Sequence, residues 1–300
     1  MSSASRRDFL KGSLALGAAA LAGDFPVSTL AAAPAKANII QFGMVTYTWG
    51  QDLDLPTLLD YLAKAKMLGV ELRTSHKHGV EPSLSPQERA DVKKRFADSP
   101  VAFIGMGSAQ DYHDPDPKKV AESIERTKAF VKLSHDLGGS GVKVRPNDLP
   151  KGVPVERTCE QIGKALNVVG AFGAGSGQQI RLEIHGGCAH IPVVKQIIDV
   201  ANHPNVALCW NSNVSDLQDG GLQHNFDLVR SRLGYTTHVR QLDSADYPFQ
   251  KLLEMFVRSG YNGWWLLEAG GKIPPADRVP ALTKQRMMFD DWYAKAQAGG

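Results

Sequence analysis

The sequence predicts an α/β protein, a (β/α)8 TIM barrel in a single domain, and three observations carry that expectation. Short apolar runs alternate eight times with helix-like segments. Four polar residues, Glu183, Asn211, His238 and Glu268, end four consecutive runs at spacings of 28, 27 and 30 residues. An eight-unit barrel of about 250 residues repeats about every 31 residues, so those spacings fit. No Gly-x-Gly-x-x-Gly follows the first strand, which weighs against a dinucleotide-binding open sheet, the other fold built from such alternation. In a barrel the carboxyl ends of the strands meet on one face. Two carboxylates, an imidazole and an amide would converge there as a candidate metal site.

Strands are expected at QFGMVTY (41–47), GVELR (69–73), VAFIG (101–105), GVKVR (141–145), IRLEI (180–184), VALCWN (206–211), YTTHVR (235–240) and GWWLLE (263–268). Several are the short apolar runs that fully buried parallel strands show. Between them, Leu55, Leu58, Leu59 and Leu62 follow helical spacing, as do Ile162, Ala165, Leu166 and Val169. Val193, Val194, Ile197 and Ile198 form a similar stripe. Ser85-Pro86-Gln87-Glu88 combines a capping box with proline at the first helical position, and Asp116-Pro117 repeats the cap-then-proline pattern. Gly69, Gly138 and Gly260 read as helix stops.

Side chains alternate faces along a strand. In GVKVR, Val142 and Val144 suit the helix-facing side, which turns Lys143 and Arg145 inward. By the same period Glu183 shares a face with His185, Asn211 with Asn213, and His238 with Arg240. Unpaired buried charge is costly, so such residues are not there for packing.

The N-terminus is a separate element. Ser5-Arg6-Arg7-Asp8-Phe9-Leu10-Lys11 is a twin-arginine export motif, followed by an apolar stretch from Leu14 to Leu21 and small-residue sites at Ala31 to Ala37. Residues 1–35 are expected to be the signal and 36–300 the barrel. The apolar stretch is shorter than the about 20 residues that span a bilayer, so no stable membrane insertion is expected. The expected partner is the twin-arginine export machinery, and the expected location of the folded protein is the periplasm.

Composition narrows the function. Net charge is +3, of which residues 1–35 contribute +1. No long basic run stands out, so a nucleic-acid partner has no electrostatic support. The three cysteines, Cys159, Cys188 and Cys209, form no Cys-x-x-Cys pair and no disulfide framework; Cys188 and Cys209 could pair only if adjacent strand ends brought them together.

Of nine histidines, six (76, 78, 113, 185, 190 and 238) fall at or just after strand ends. His76 and His78 are either substrate contacts or loop surface. Arg73, Lys143, Arg145 and Arg240 either bind substrate oxygens or hold the site carboxylates. Tyr47 and Trp49 either stack on a bound ring or pack on a loop. Trp210, Trp264 and Trp265 read as core.

Here the chain resembles the xylose isomerase-like TIM barrels, also called the sugar phosphate isomerase/epimerase family. The resemblance rests on GVELRTSHKHG, LEIHGG, CWNSN, THVRQLD and GYNGWWLLEAG. GMGSAQDYHDPD and VRPNDLPKGVP resemble an exported branch of it. In the family's ketose 3-epimerases, strands five to eight offer Glu, Asp, His and Glu to one divalent metal. The resemblance therefore implies Glu183, Asn211, His238 and Glu268 as ligands. Asn211 departs from the pattern, since an aspartate is usual. An amide carbonyl still ligates a hard cation, and His185 is placed to compensate. Mn²⁺ is the first choice, and Co²⁺, Mg²⁺ and Zn²⁺ also suit a carboxylate–imidazole set. The family contains dimers and tetramers, so a homo-oligomer is an open expectation.

The chemistry implied is proton removal α to a carbonyl, with Glu183 as base and Glu268 returning the proton. His76, His78, Arg145, His185, Arg240 and Trp49 are the expected substrate contacts. Reprotonation gives an epimerase or isomerase. Expulsion of a β leaving group gives a lyase on 3-keto-glycosides. A barrel that only binds carbohydrate is the non-catalytic alternative. Export favours neutral sugars and keto-glycosides over phosphorylated ones.

Overall fold

The computed structural model describes residues 39–299. The signal expected at residues 1–35 lies outside them. Strands and helices alternate throughout: β1 (Ile40–Val45), α1 (Leu55–Lys64), β2 (Gly69–Arg73), α2 (Pro86–Ala97), β3 (Ala102–Gly107), α3 (Pro117–Leu137), β4 (Gly141–Val144), α4 (Val155–Ala174), β5 (Gln179–Glu183), α5 (Ile191–Val200), β6 (Val206–Cys209), α6 (Gly221–Val229), β7 (Thr236–Val239), α7 (Phe249–Arg258), β8 (Gly263–Leu267) and α8 (Pro275–Ala298). The parallel strands run in the order β6-β5-β4-β3-β2-β1-β8-β7. A few bonds close the remaining seam between β6 and β7. Gly234 N–H donates to the Leu208 carbonyl and His238 N–H to that of Trp210, both at 2.7 Å. Asn211 and His238 are paired residues of that seam. This is the expected (β/α)8 barrel.

The helices form where the sequence marks them. Leu55, Leu58, Leu59 and Leu62 are all buried on α1. Ser85 and Glu88 make the reciprocal capping box at the start of α2, and Asp116 accepts from Lys118 N–H at the start of α3. Gly138 takes the left-handed conformation that ends α3, at φ 83°. Gly69 does not stop a helix. The chain leaves α1 through Lys66, at φ 56°, and Gly69 opens β2. Its role is steric: a Cβ there would lie 2.2 Å from the Trp264 ring.

Two faces of the sheet have different chemistry. Phe42, Met44, Val70, Leu72, Val142 and Val144 join the apolar layer under the helices. Inside, Ile104, Trp264 and Leu266 form a small apolar cluster. The fully buried Arg181 guanidinium donates to the Ser140 hydroxyl at 2.7 Å and to Gln179 Oε1 at 2.8 Å. Trp210 and Trp265 are fully buried, as expected of core residues. Cys159, Cys188 and Cys209 are all buried free thiols, so the Cys188–Cys209 pairing does not form.

Candidate active site

The strand period delivers a polar cluster to the carboxyl end of the barrel. Glu183, the last residue of β5, is buried and uses both oxygens. Oε2 accepts from Lys143 Nζ at 2.6 Å. Oε1 accepts from Asn211 Nδ2 at 2.9 Å and lies 3.1 Å from His238 Nδ1. Asn211 also donates to Glu268 Oε2 at 3.1 Å, and that oxygen lies 3.9 Å from His238 Nδ1. All four side chains expected to meet do meet.

A fifth member was not expected. Glu71, fully buried on β2, places Oε1 3.1 Å from His238 Nε2. Gly107 on β3 makes room for it, because a Cβ there would come within 3.0 Å of that oxygen. The signal was present in GVELR, where Val70 and Leu72 face the helices and Glu71 must point inward. Lys143, read as inward from the same alternation, is the second buried partner.

Charges in this cluster set one another. Burial pushes the Glu183 carboxyl up, but Lys143 and His238 together outweigh it and hold it well below the usual carboxylate range. Burial and the nearby Glu183 charge raise Glu268. Burial favours neutral His238, yet the Cys209 sulfur and the Glu71 and Glu183 carboxylates carry it well above its ordinary value. Two carboxylates with acidities pushed apart are a common acid–base arrangement. A buried ionic network adds little net stability compared with apolar packing, and perturbed groups that line a cleft mark functional sites.

The donor set suits a cation. Glu183, His238 and Glu268 each offer a ligand atom, and these atoms lie within 4.8 Å of one another. With Nε2–H donated to Glu71, the His238 Nδ1 lone pair would face two carboxylates. That nitrogen must then carry a proton or share a cation with them. A carboxylate behind a ligating histidine is the usual means of orienting it. In the orientation with Nδ2 toward the carboxylates, Asn211 presents no oxygen to this point; rotation of its amide would bring its carbonyl there.

Above the cluster is a cavity of about 370 Å³, within the size range of small-molecule sites. Arg145, His185 and Arg240 line it, together with Tyr47 and Arg73. Three other expected contacts do not. Trp49 is buried and donates its indole N–H to the Gly270 carbonyl at 3.1 Å, locking the loop after β1 to the loop after β8. Tyr47 has the cavity face instead. His78 is buried within its own loop, between the Arg73 carbonyl at 2.9 Å and Val80 N–H at 3.0 Å. His76 lies 3.3 Å from the Thr46 hydroxyl and is lowered to about 4 by burial, His78 and Arg73. The loop after β2 curls onto itself, which is why both histidines miss the cavity.

The xylose isomerase-like TIM barrel family model matches residues 59–287. The chain belongs to that family. Residues 3–23 match the twin-arginine signal sequence, so this family member carries an export signal. No curated protein sequence matches significantly. Among solved structures the barrel is similar to an L-ribulose 3-epimerase, with TM-score 0.73 and 15% identity over 87% of this chain and 97% of that one. It is similar to a 3-keto-D-glucoside 4-epimerase from E. coli, with TM-score 0.68 and 14% identity over 83% and 100%. It is also similar to a D-psicose 3-epimerase from Clostridium cellulolyticum, with TM-score 0.69 and 14% identity over 85% and 99%. At such identities the likeness is one of fold. Among the described residues, no helix is long and apolar enough to cross a membrane.

Proposed function

We propose that this barrel is an exported, divalent-metal-dependent sugar isomerase or epimerase that moves a proton α to a carbonyl. The observation that carries the reading is the convergence of Glu183, His238 and Glu268 beneath an open cavity, with the two carboxylates pushed apart in acidity. Likeness to the ribulose, psicose and 3-keto-glucoside epimerases supports sugars and keto-glycosides as the substrate class. The export signal supports the periplasm as the place of action.

Glu183, His238 and Glu268 would hold the metal, with Asn211 joining through its carbonyl; Mn²⁺ is the first choice for this donor set. When bound, the ion supplies Lewis acidity to a carbonyl and its neighbouring hydroxyl. The remaining chemistry belongs to side chains. Glu268 is 14% exposed, its Oε1 accepts no hydrogen bond among the described residues, and burial with the Glu183 charge raises its pKa, which makes it the stronger base of the two carboxylates. It takes the α proton, and the C–H electron pair becomes the enediolate double bond. Glu183, with both oxygens engaged, is the other member of the pair, on the opposite side of the substrate. This reverses the order expected from sequence. Arg240, held by Asp246 at 2.7 Å, and His185 orient the sugar oxygens. Proton return to the opposite face epimerises, and return to the neighbouring carbon isomerises. Loss of a β leaving group from the same enediolate would make a keto-glycoside lyase.

The test is NMR of solvent deuterium entering free ketoses and 3-keto-glycosides in heavy water, using the Mn²⁺-loaded mature protein. Exchange is expected, and it should vanish in both Glu268→Gln and Glu183→Gln while the fold persists by circular dichroism. No exchange with either substrate class, or full exchange in Glu268→Gln, overturns the assignment.

A further inference from the structure

The cavity carries more positive charge than its carboxylates balance. Arg73, Lys143, Arg145 and Arg240 line it against Glu183 and Glu268. Lys143 is taken up by Glu183, and Arg240 by Asp246 and the Ser212 carbonyl. The other two arginines are barely engaged. Among the described residues Arg145 donates once, to the Ala109 carbonyl at 3.1 Å, and stands 3.9 Å from its nearest carboxylate oxygen, on Asp111. Its Nε is buried with no partner among the described residues. Arg73 has no side-chain hydrogen bond or ion pair among the described residues. Its guanidinium lies 5.0 Å from the centre of the Tyr47 ring, another cavity residue. A guanidinium oriented by an aromatic face keeps its N–H fork free for an oxyanion.

His185 lines the same cavity as these two arginines. His185 Nδ1 is also buried without a partner among the described residues. Arg73 ends β2, Arg145 and His185 follow β4 and β5, and Glu268 follows β8, two places from β2 in the strand order. A substrate in this cavity would meet these three side chains as well as Glu268.

Resting on the sugar-enzyme reading above, we propose that Arg73, Arg145 and His185 bind a carboxylate of the substrate, which is therefore a sugar acid. A planar carboxylate matches the guanidinium fork, and the cation excess draws anions into the cavity. Phosphate fits less well. Barrels commonly bind it at the turn after the last strands, on helix N–H groups. Here Pro274 and Pro275 open α8 and remove two of those donors.

The test is calorimetric titration of the mature protein with matched sugars: glucuronate against glucose, galacturonate against galactose, and gluconate against glucitol. At least one acid is expected to bind at least about tenfold more tightly than its neutral partner, the worth of one charge-assisted hydrogen bond. That preference should collapse in Arg73→Gln and, made separately, in Arg145→Gln. Equal binding within all three pairs, no binding by any acid, or a preference that survives both variants overturns the proposal. Tighter binding of glucose 6-phosphate than of every acid overturns the carboxylate assignment. Deuterium exchange with the same sugars separates this proposal from the one before it. Acid-selective binding without C–H exchange would leave the carboxylate site standing and remove the epimerase reading. Exchange into neutral sugars with no acid preference would do the reverse.

Discussion

Glu71 and His238 meet across the barrel interior, with Oε1 3.1 Å from Nε2. The contact spans β2 to β7 and turns the other imidazole nitrogen toward Glu183 and Glu268. Removing the Glu71 charge should loosen that orientation. Glu71→Gln is expected to weaken Mn²⁺ binding about 10–100-fold, the usual effect of losing such a partner. Titration calorimetry measures it, and an unchanged dissociation constant would detach Glu71 from the site.

Asn211 should respond with opposite signs in two conditions. Its amide donates to both Glu183 and Glu268. In Asn211→Asp a third carboxylate faces those two, so Tm in EDTA should fall. A cation would then gain a charged ligand, and the Tm rise on adding Mn²⁺ should exceed that of the wild type. Thermal melts with and without the metal check both. A smaller Mn²⁺-induced rise would argue against Asn211 as a ligand position.

Lys143→Met should be among the most damaging single changes in the barrel. It strips Glu183 of a partner at 2.6 Å in a fully buried setting. Breaking one side of a buried pair commonly costs about 3–5 kcal/mol. Urea denaturation gives the number, and Glu183→Gln in the same chain should recover part of it. A loss no larger than that of an exposed lysine would mean the pair contributes little.

Asp216 predicts a pH dependence of stability. Burial pushes its carboxyl up to about 7 from the ordinary 3.8, despite bonds from the Tyr247 hydroxyl and Asn213 N–H. Below pH about 4 both folded and unfolded chains hold the proton. Between about 4 and 7 the unfolded chain has released it and the folded chain has not. This contribution to stability is therefore lost as pH rises to about 7, and is constant above. Asp216→Asn removes the titration. The difference between wild-type and variant unfolding free energies, measured across that range, should slope accordingly; a flat difference would refute it.

Much of the barrel was legible because its signals are local. Strand ends lay within two residues of expectation, and every core leucine of α1 was identified, because a buried face imposes a repeat that the chain displays directly. Gly69 was misread for the complementary reason. A glycine is needed there to clear Trp264, nearly 200 residues away, and nothing adjacent in the chain records that.

The sequence by itself determined which side chains face inward and on which strands they sit, because alternation along a strand is a property of the backbone. Thus Glu183, Asn211, His238 and Glu268 could be assigned a common rim from spacing alone. Only the tertiary structure decided who touches whom: that Glu71 backs His238, that Lys143 holds Glu183, that Tyr47 rather than Trp49 faces the cavity, and that among the described residues Arg73 has no anion beside it. Those outcomes depend on strand tilt, closure at the β6–β7 seam and the path of each loop. These are set by packing between residues far apart in the chain, and no repeat within it encodes them.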